Sequence, residues 1–377
     1  LWAHRWQYQK LDLRRLRGEF TLKTVQELQS ETLAPPQTIS KILHGSWAIR
    51  ILKTACEISI FEVLQDGPKD ADAVAASLSM PVAGISLLLD ALVGLKLIER
   101  ADLQDPNTAA NIGAATYILN DESSTYLLKD SALFLGLYLR QNEELDKMWR
   151  LLTDTLKTGK PVMEVNLDAK AEEIFPQLAE AIFPLSYAIA YDVVRFLKSH
   201  QDYFGEPLNV LDLACGGAAW SIPFVQENAH SKVDALDFPA VLSVTKRTAE
   251  KFGVAPQFRY LPGNWREIKV EPAIYDVAIL GHILHSEGAD MSKKLIAYCY
   301  QALRSGGALV IAEFMTNKEH SGPLHSLMFG LNMHLATTNG CVFSLDQLKQ
   351  MCFDAGFSEV IRHTGIQYDS PVLLAFK

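Results

Sequence analysis

From about residue 207 to the C-terminus, the chain switches repeatedly between two hydrophobic periods. Short apolar runs read as buried strands: PLNVLDLAC, SKVDALDFP, QFRYLPGN, YDVAILGH and GGALVIAEFM. Longer amphipathic stretches lie between them, such as AVLSVTKRTAEKFG and DMSKKLIAYCYQALRSGG, and read as helices. Strand–helix alternation of this kind predicts an α/β fold with a mostly parallel sheet. The last two runs, FSEVIRHTG and SPVLLAFK, predict a closing hairpin.

Upstream the period is helical. Residues 1–40 are expected to form an arm, with Trp2, Trp6, Leu13, Leu16 and Phe20 at roughly helical intervals, and APPQ (Ala34–Gln37) breaking it from the next segment. Residues 41–128 read as helix, turn, helix, turn, long helix and β-wing, a winged-helix pattern. A DNA-reading version would carry basic or amide side chains on the third helix. Pro81 to Leu97 offers only Lys96 as a basic residue among many aliphatics, so a dimerisation module is the expected role. Residues 129–200 are expected to be a helical connector that roofs a pocket, and 201–377 the ligand-binding domain.

Composition narrows the function classes. With 49% hydrophobic and 21% charged residues, the chain is of the folded globular kind. A net charge of −9 argues against nucleic acid, and the cluster Arg14, Arg15 and Arg17 reads as a solvated helix face. No apolar run approaches the ~20 residues that span a membrane. The N-terminus has no apolar signal-peptide core, and it does not begin with Met, so a trimmed piece of a longer chain is expected. Five scattered cysteines without C-x-x-C spacing point to free thiols in a reducing, cytoplasmic setting and away from zinc.

Candidate chemistry gathers where the strands end. VLDLACGGAAWSI follows the first strand, and its small residues would let a ligand approach backbone N–H groups. About twenty residues on, the second strand ends in Asp237, placed to accept hydrogen bonds from ribose hydroxyls. GNW follows the third strand, where Asn264 could meet an adenine edge and Trp265 could stack on it. The loop lacks G-x-G-x-x-G and fits a dinucleotide poorly. LGHILHSEGAD (Leu280–Asp290) then offers two histidines three residues apart. A metal pair, a catalytic base with a bystander, or ordinary core residues are all compatible with that spacing; no Cys or His partner is near in sequence, which disfavours the metal.

Taken in order, these motifs resemble the class I S-adenosylmethionine-dependent O-methyltransferases that act on small molecules and carry an N-terminal winged-helix dimerisation domain. The resemblance runs from about residue 41 to the C-terminus. It implies a Rossmann-like catalytic domain with a mostly parallel seven-stranded sheet, S-adenosylmethionine as methyl donor and S-adenosylhomocysteine as product. It also implies no metal, a homodimer, and a hydroxylated small-molecule acceptor, aromatic or polyketide-like. VLDLACGG matches the family's glycine loop, ALDFP its ribose-binding strand end and GNW its G-D-F/M segment. The implied cofactor contacts are Asp212, Ala214, Gly216, Gly217, Asp237, Phe238, Gly263, Asn264, Trp265, Gly281 and His282. His285 falls on the family's catalytic base and Glu313 on one of its two acidic partners. The second acid is missing from the matching stretch, Gly340–Phe343, and Glu287 is the expected substitute. Phe183, Tyr187, Asn332, Met333 and His334 are the expected acceptor contacts. The loop departs from D-x-G-x-G-x-G, with Ala214 and Ala218 at the first and third glycines.

Two other readings stay open at this stage. The bound sulfonium can serve only as a positive charge in a rearrangement or ring closure, or the chain can be a winged-helix regulator that senses the cofactor.

Overall fold

The structure is a computed structural model that describes residues 35–103, 115–162, 164, 168–200, 207–365 and 370–377. The expected arm lies outside these residues up to position 34, its arginine cluster included. The chain divides into two compact units, Leu1–Leu52 and Lys53–Lys377.

The described residues of the first unit from Gln37 onward belong to a helix that runs from Gln37 to Glu57, past the unit's end at Leu52. It starts four residues earlier than the expected boundary, directly behind Pro35 and Pro36, where a helix has no use for an N–H donor anyway. Ile39, Ile42, Leu43 and Trp47 on this helix are all exposed.

The second unit opens with short helices Ile60–Leu64, Ala71–Leu78 and Val82–Gly94. Strands β1 (Lys69–Asp70), β2 (Ile98–Arg100) and β3 (Thr116–Leu119) form the small antiparallel wing in the order β1-β3-β2. Asp70 accepts a hydrogen bond from the Ala73 N–H and caps the second of these helices, as its position before an apolar run predicts. Lys96 lies past the end of the third, in the turn to β2. Helices Gly136–Trp149, Leu152–Thr158 and Asp168–His200 follow. No single described helix is long and apolar enough to cross a membrane.

The larger sheet has seven strands: β4 (Asn209–Leu213), β5 (Lys232–Asp237), β6 (Phe258–Pro262), β7 (Tyr275–Gly281), β8 (Leu303–Ala312), β9 (Glu359–Arg362) and β10 (Val372–Phe376). Their order is β6-β5-β4-β7-β8-β10-β9, parallel except for β10, which runs antiparallel to both neighbours. The near-continuous apolar runs have a simple cause, since both faces of the sheet are covered. Val210, Val277, Ile279 and Val310 pack on one side with Val193 and Leu197 of the long helix. Leu211, Ala278, Leu280 and Ile311 pack on the other with Leu295, Ile296 and Leu348 of helices Leu284–Ala302 and Leu345–Ala355. Strand order reverses at β4, whose sequence neighbours β5 and β6 lie to one side and β7 to the other. Ligands of open α/β sheets bind beyond the carboxyl ends of strands at such a reversal.

Candidate active site

A cavity of about 980 Å³ opens at that point. Its floor is made by the loops after β4, β5, β6 and β7. The first of them, 214–221, keeps the conformation that a glycine-rich loop would have: Ala214, Gly216 and Ala218 all have left-handed φ, at 54°, 53° and 61°. The two alanines therefore carry strain that glycine would avoid, on the order of 1–2 kcal/mol each. A short helix, Ile222–Glu227, begins only after this string of turns, so the loop and not a helix N-terminus meets the cavity. Gly217 has no room for a side chain; a Cβ there would sit 3.0 Å from the Ala179 carbonyl and 3.2 Å from the Phe183 ring. Close approach at Gly217 seats the long helix directly on the loop.

Asp237 terminates β5 at the cavity wall. Its Oδ2 accepts from the Gly216 N–H at 2.9 Å and its Oδ1 from the Phe238 N–H at 2.8 Å. Burial raises its carboxyl to about 6 despite those two donors, which act in the opposite direction. Phe238, Gly263, Asn264 and Trp265 line the same wall. Trp265 is held between the edge of Tyr298 and the guanidinium of Arg266, which lies 5.3 Å from the ring centroid.

Gly281 ends β7 against Trp220, where a Cβ would come within 2.5 Å of the indole. His282 then adopts a left-handed φ of 61°, which turns the chain out of the sheet. His285 follows in the first turn of helix Leu284–Ala302, and the chain breaks helical geometry again at Gly288 (φ 74°, ψ 173°). Glu313, directly after β8, has no solvent exposure. Its Oε1 lies 2.6 Å from His285 Nδ1, and its Oε2 accepts from the His285 backbone N–H at 3.1 Å. Burial alone would raise the Glu313 carboxyl. The charge and hydrogen bond of His285, the nearby His282 and the Phe314 N–H outweigh it and hold the group below its ordinary value. Glu313 is therefore a carboxylate, and the ring nitrogen facing it is the donor. His282 Nε2 pairs with Ser370 Oγ at 3.1 Å, while burial takes its ring down to about 4 and keeps it neutral.

Several expected contacts fall elsewhere. Asp212 does not line the cavity; its Oδ2 accepts from Ser221 beneath the loop, and burial pushes its carboxyl up to about 7. Tyr187 turns away to donate to Gln226 and to pack on Phe252, whereas Phe183, one turn earlier, reaches the cavity. His334 is exposed on the outer face of helix Leu324–Ala336, while Asn332 and Met333 face inward. Asn332 accepts from the Trp149 indole at 3.1 Å. Glu287 lines the cavity but ion-pairs with Arg266 at 2.5 Å and makes no described contact to His285. The Asn264 carbonyl is engaged by the Arg266 N–H in its own turn, at 3.0 Å. Segment 340–343 meets the histidine through its backbone, with the Cys341 N–H donating to the His285 carbonyl at 2.8 Å.

Other lining residues went unseen in the sequence. Phe314 and Phe329 pack at 4.2 Å from each other, with His285 4.8 Å from Phe329. Trp220 and His325 also line the cavity, as does Trp149, an apolar position of the segment expected to roof the pocket. Phe314 could have been found, since it adjoins Glu313 at a strand end. Trp220 lies in the loop after β4 itself, and Phe329 one turn before Asn332 and Met333, whereas Trp149 comes from a helix far away in sequence.

Comparison with known proteins agrees with this architecture. Residues 180–358 match the model of an O-methyltransferase domain, and residues 40–129 match that of an O-methyltransferase dimerisation domain. Acetylserotonin O-methyltransferase of Gallus gallus is 28% identical over 363 residues, covering 90% of this chain and 98% of the relative. A 3-hydroxy-5-methyl-1-naphthoate 3-O-methyltransferase of Streptomyces sahachiroi is 25% identical, covering 86% of this chain and 90% of its own. The crystal structure of human N-acetylserotonin methyltransferase in complex with SAM superposes with a TM-score of 0.71 at 22% identity, over 92% of this chain and 99% of that one. An α/β sheet that places its loops around one cavity, preceded by a winged-helix module, and both family matches in the same order lead to one conclusion: the chain belongs to the S-adenosylmethionine-dependent O-methyltransferases that carry a dimerisation domain.

Proposed function

We propose that this protein transfers the methyl group of S-adenosylmethionine to a hydroxyl of a small-molecule acceptor, aromatic or polyketide-like, with His285 as general base. The observation that carries the reading is the 2.6 Å contact between Nδ1 of His285, which lines the cavity, and the buried carboxylate of Glu313 behind it. Glu313 fixes the tautomer: Nδ1 holds the proton, so Nε2 keeps the lone pair that accepts one from the acceptor hydroxyl. The cofactor, when bound, supplies an already activated methyl group, so in-line alignment and deprotonation are the tasks left to the chain. Asp237 would receive the ribose hydroxyls. Trp265 would face the adenine with Gly216, Gly217, Gly263 and Gly281 close to the ligand. Apolar walls from Phe183, Met333, Phe314 and Phe329 suit a flat, largely hydrophobic acceptor. Domain boundaries near residues 40, 128 and 200, and a homodimer formed through the N-terminal domain, belong to the same proposal.

The test is product analysis with methyl-labelled cofactor and candidate phenols. His285→Ala and His285→Gln should each lower turnover by about 10²–10⁴-fold with little change in cofactor affinity. Full activity in His285→Ala would remove deprotonation from its role. A second reading, cofactor-assisted rearrangement, is favoured by one observation: Arg266 occupies Glu287, which leaves His285 with one acid. Label retained on the cofactor through complete substrate conversion would support that reading instead.

A further inference from the structure

Beside the proposed base lies a ring nitrogen that the proposed methyl transfer does not use. His282 Nδ1 is buried without a hydrogen-bond partner. It points at the same carboxylate oxygen that holds His285, with Glu313 Oε1 3.9 Å away. That distance is too long for a hydrogen bond. The other edge of the ring, Nε2, is held by Ser370. One donor atom from each of His282, His285 and Glu313 lies within 4.8 Å of the others. Two imidazole nitrogens and one carboxylate oxygen are a common donor set for a zinc-like ion that keeps one position open. In a tetrahedral shell with Zn–N and Zn–O bonds near 2.1 Å, ligand atoms stand about 3.4 Å apart. The observed 2.6 and 3.9 Å bracket that value, so shifts below an ångström would close the shell.

We propose that His282, His285 and Glu313 form a binding site for a divalent transition-metal ion of the zinc type, and that its occupation switches methyl transfer off. The ion takes the Nδ1 lone pairs of both rings and one Glu313 oxygen, and the fourth position opens to the cavity. His285 must then carry its single proton on Nε2, so the proton moves from one ring nitrogen to the other and none is lost. With Nε2 protonated, no lone pair remains for the acceptor hydroxyl. The hydrogen bond between His285 and Glu313 is replaced by two metal–ligand bonds. Ser370, on the far edge of His282, orients the ring as an outer-shell partner does. The binding half stands on this geometry; the switching half also rests on His285 as the base.

Titration of the full chain with Co²⁺, followed by visible absorption and then by displacement with Zn²⁺, tests the binding half. One Co²⁺ per chain with d–d bands of a four- or five-coordinate nitrogen–oxygen site is expected. His282→Asn tolerates the left-handed φ at this position and serves as the folded variant. It should weaken Co²⁺ by at least the about 10–100-fold that loss of an outer-shell partner costs, and so should Glu313→Gln. Circular dichroism checks that each variant is folded. Unchanged Co²⁺ affinity in His282→Asn, or sulfur-to-cobalt charge-transfer bands that vanish in Cys341→Ser, would overturn the site. For the switching half, Zn²⁺ should inhibit the native chain in parallel with its binding curve and lose that potency in His282→Asn. Binding at all three residues with undiminished turnover would overturn the switch, and would count against His285 as the base without touching the site.

Discussion

At Asp237 one carboxylate faces two tasks with opposite demands. It organises the loop by accepting from Gly216 and Phe238, and in the proposed reading it also receives the ribose. Burial has raised its carboxyl to about 6, so the cofactor-free protein loses the acceptor as pH falls through that value. Ribose hydroxyls bind the ionised form, which fixes the sign. Cofactor affinity should be flat above about pH 7 and fall towards tenfold per pH unit below about pH 6. Asp237→Asn should bind more weakly and show a flatter profile, which calorimetry between pH 5 and 8 would check. An affinity independent of pH in the native chain would take Asp237 out of the ribose site. This residue was legible in the sequence because an acid that ends the second strand has a fixed place in such a sheet. Asp212 was not: two residues earlier or later along β4, a side chain faces the same side of the sheet, and only the fold shows that Ser221 covers it.

Among the elements, the stretch from Gly281 to Gly288 has the most concentrated conformational demand. Two backbone departures, at His282 and Gly288, bring His285 from the end of a strand onto the cavity wall and break its helix one turn later. Gly288 is the most constrained in its backbone. A Cβ there would lie 2.7 Å from the Asn339 carbonyl, at a φ and ψ that side chains avoid. Gly288→Ala should cost about 2–3 kcal/mol, read from the urea midpoint, and should lower kcat more than cofactor affinity. A wild-type midpoint would mean the kink is soft. The sequence placed the histidine at the end of an apolar run and gave its family role by resemblance. It could not show the kink, because a lone glycine in a polar segment is as compatible with an ordinary helix. Nor could it show that Arg266 would claim Glu287, since 21 residues separate them and only the fold brings the loops after β6 and β7 together.

For the whole molecule, the strands of the large sheet and the hairpin at its edge followed from period alone, because strands buried on both faces leave unbroken apolar runs. The cavity roof followed less well. Trp149, His325 and Phe329 converge from helices far apart in sequence, and helical periodicity reports a buried face without naming its partner. The helix Gln37–Glu57 raises a further question at this scale, since four large apolar side chains along it meet water. Runs of that kind mark association surfaces. The chain should sediment as a dimer, and Leu43→Glu combined with Trp47→Glu should shift it to monomer with the circular dichroism spectrum retained. A double variant that stays dimeric would place the contact elsewhere.

The seating of the long helix on Gly217 has one more consequence. The proposed donor-facing residues hang on loops fixed by a sheet that is covered on both sides, whereas Phe183, Phe329 and Met333 of the proposed acceptor side sit on helices 168–200 and 324–336, with Phe314 joining them from the end of β8. The two ends of the cavity are thus built from different elements that touch at Gly217. Away from that contact the helical end can be re-cut for new molecules while the proposed sulfonium end keeps its loops, which makes this scaffold a lathe with a fixed headstock and exchangeable tooling.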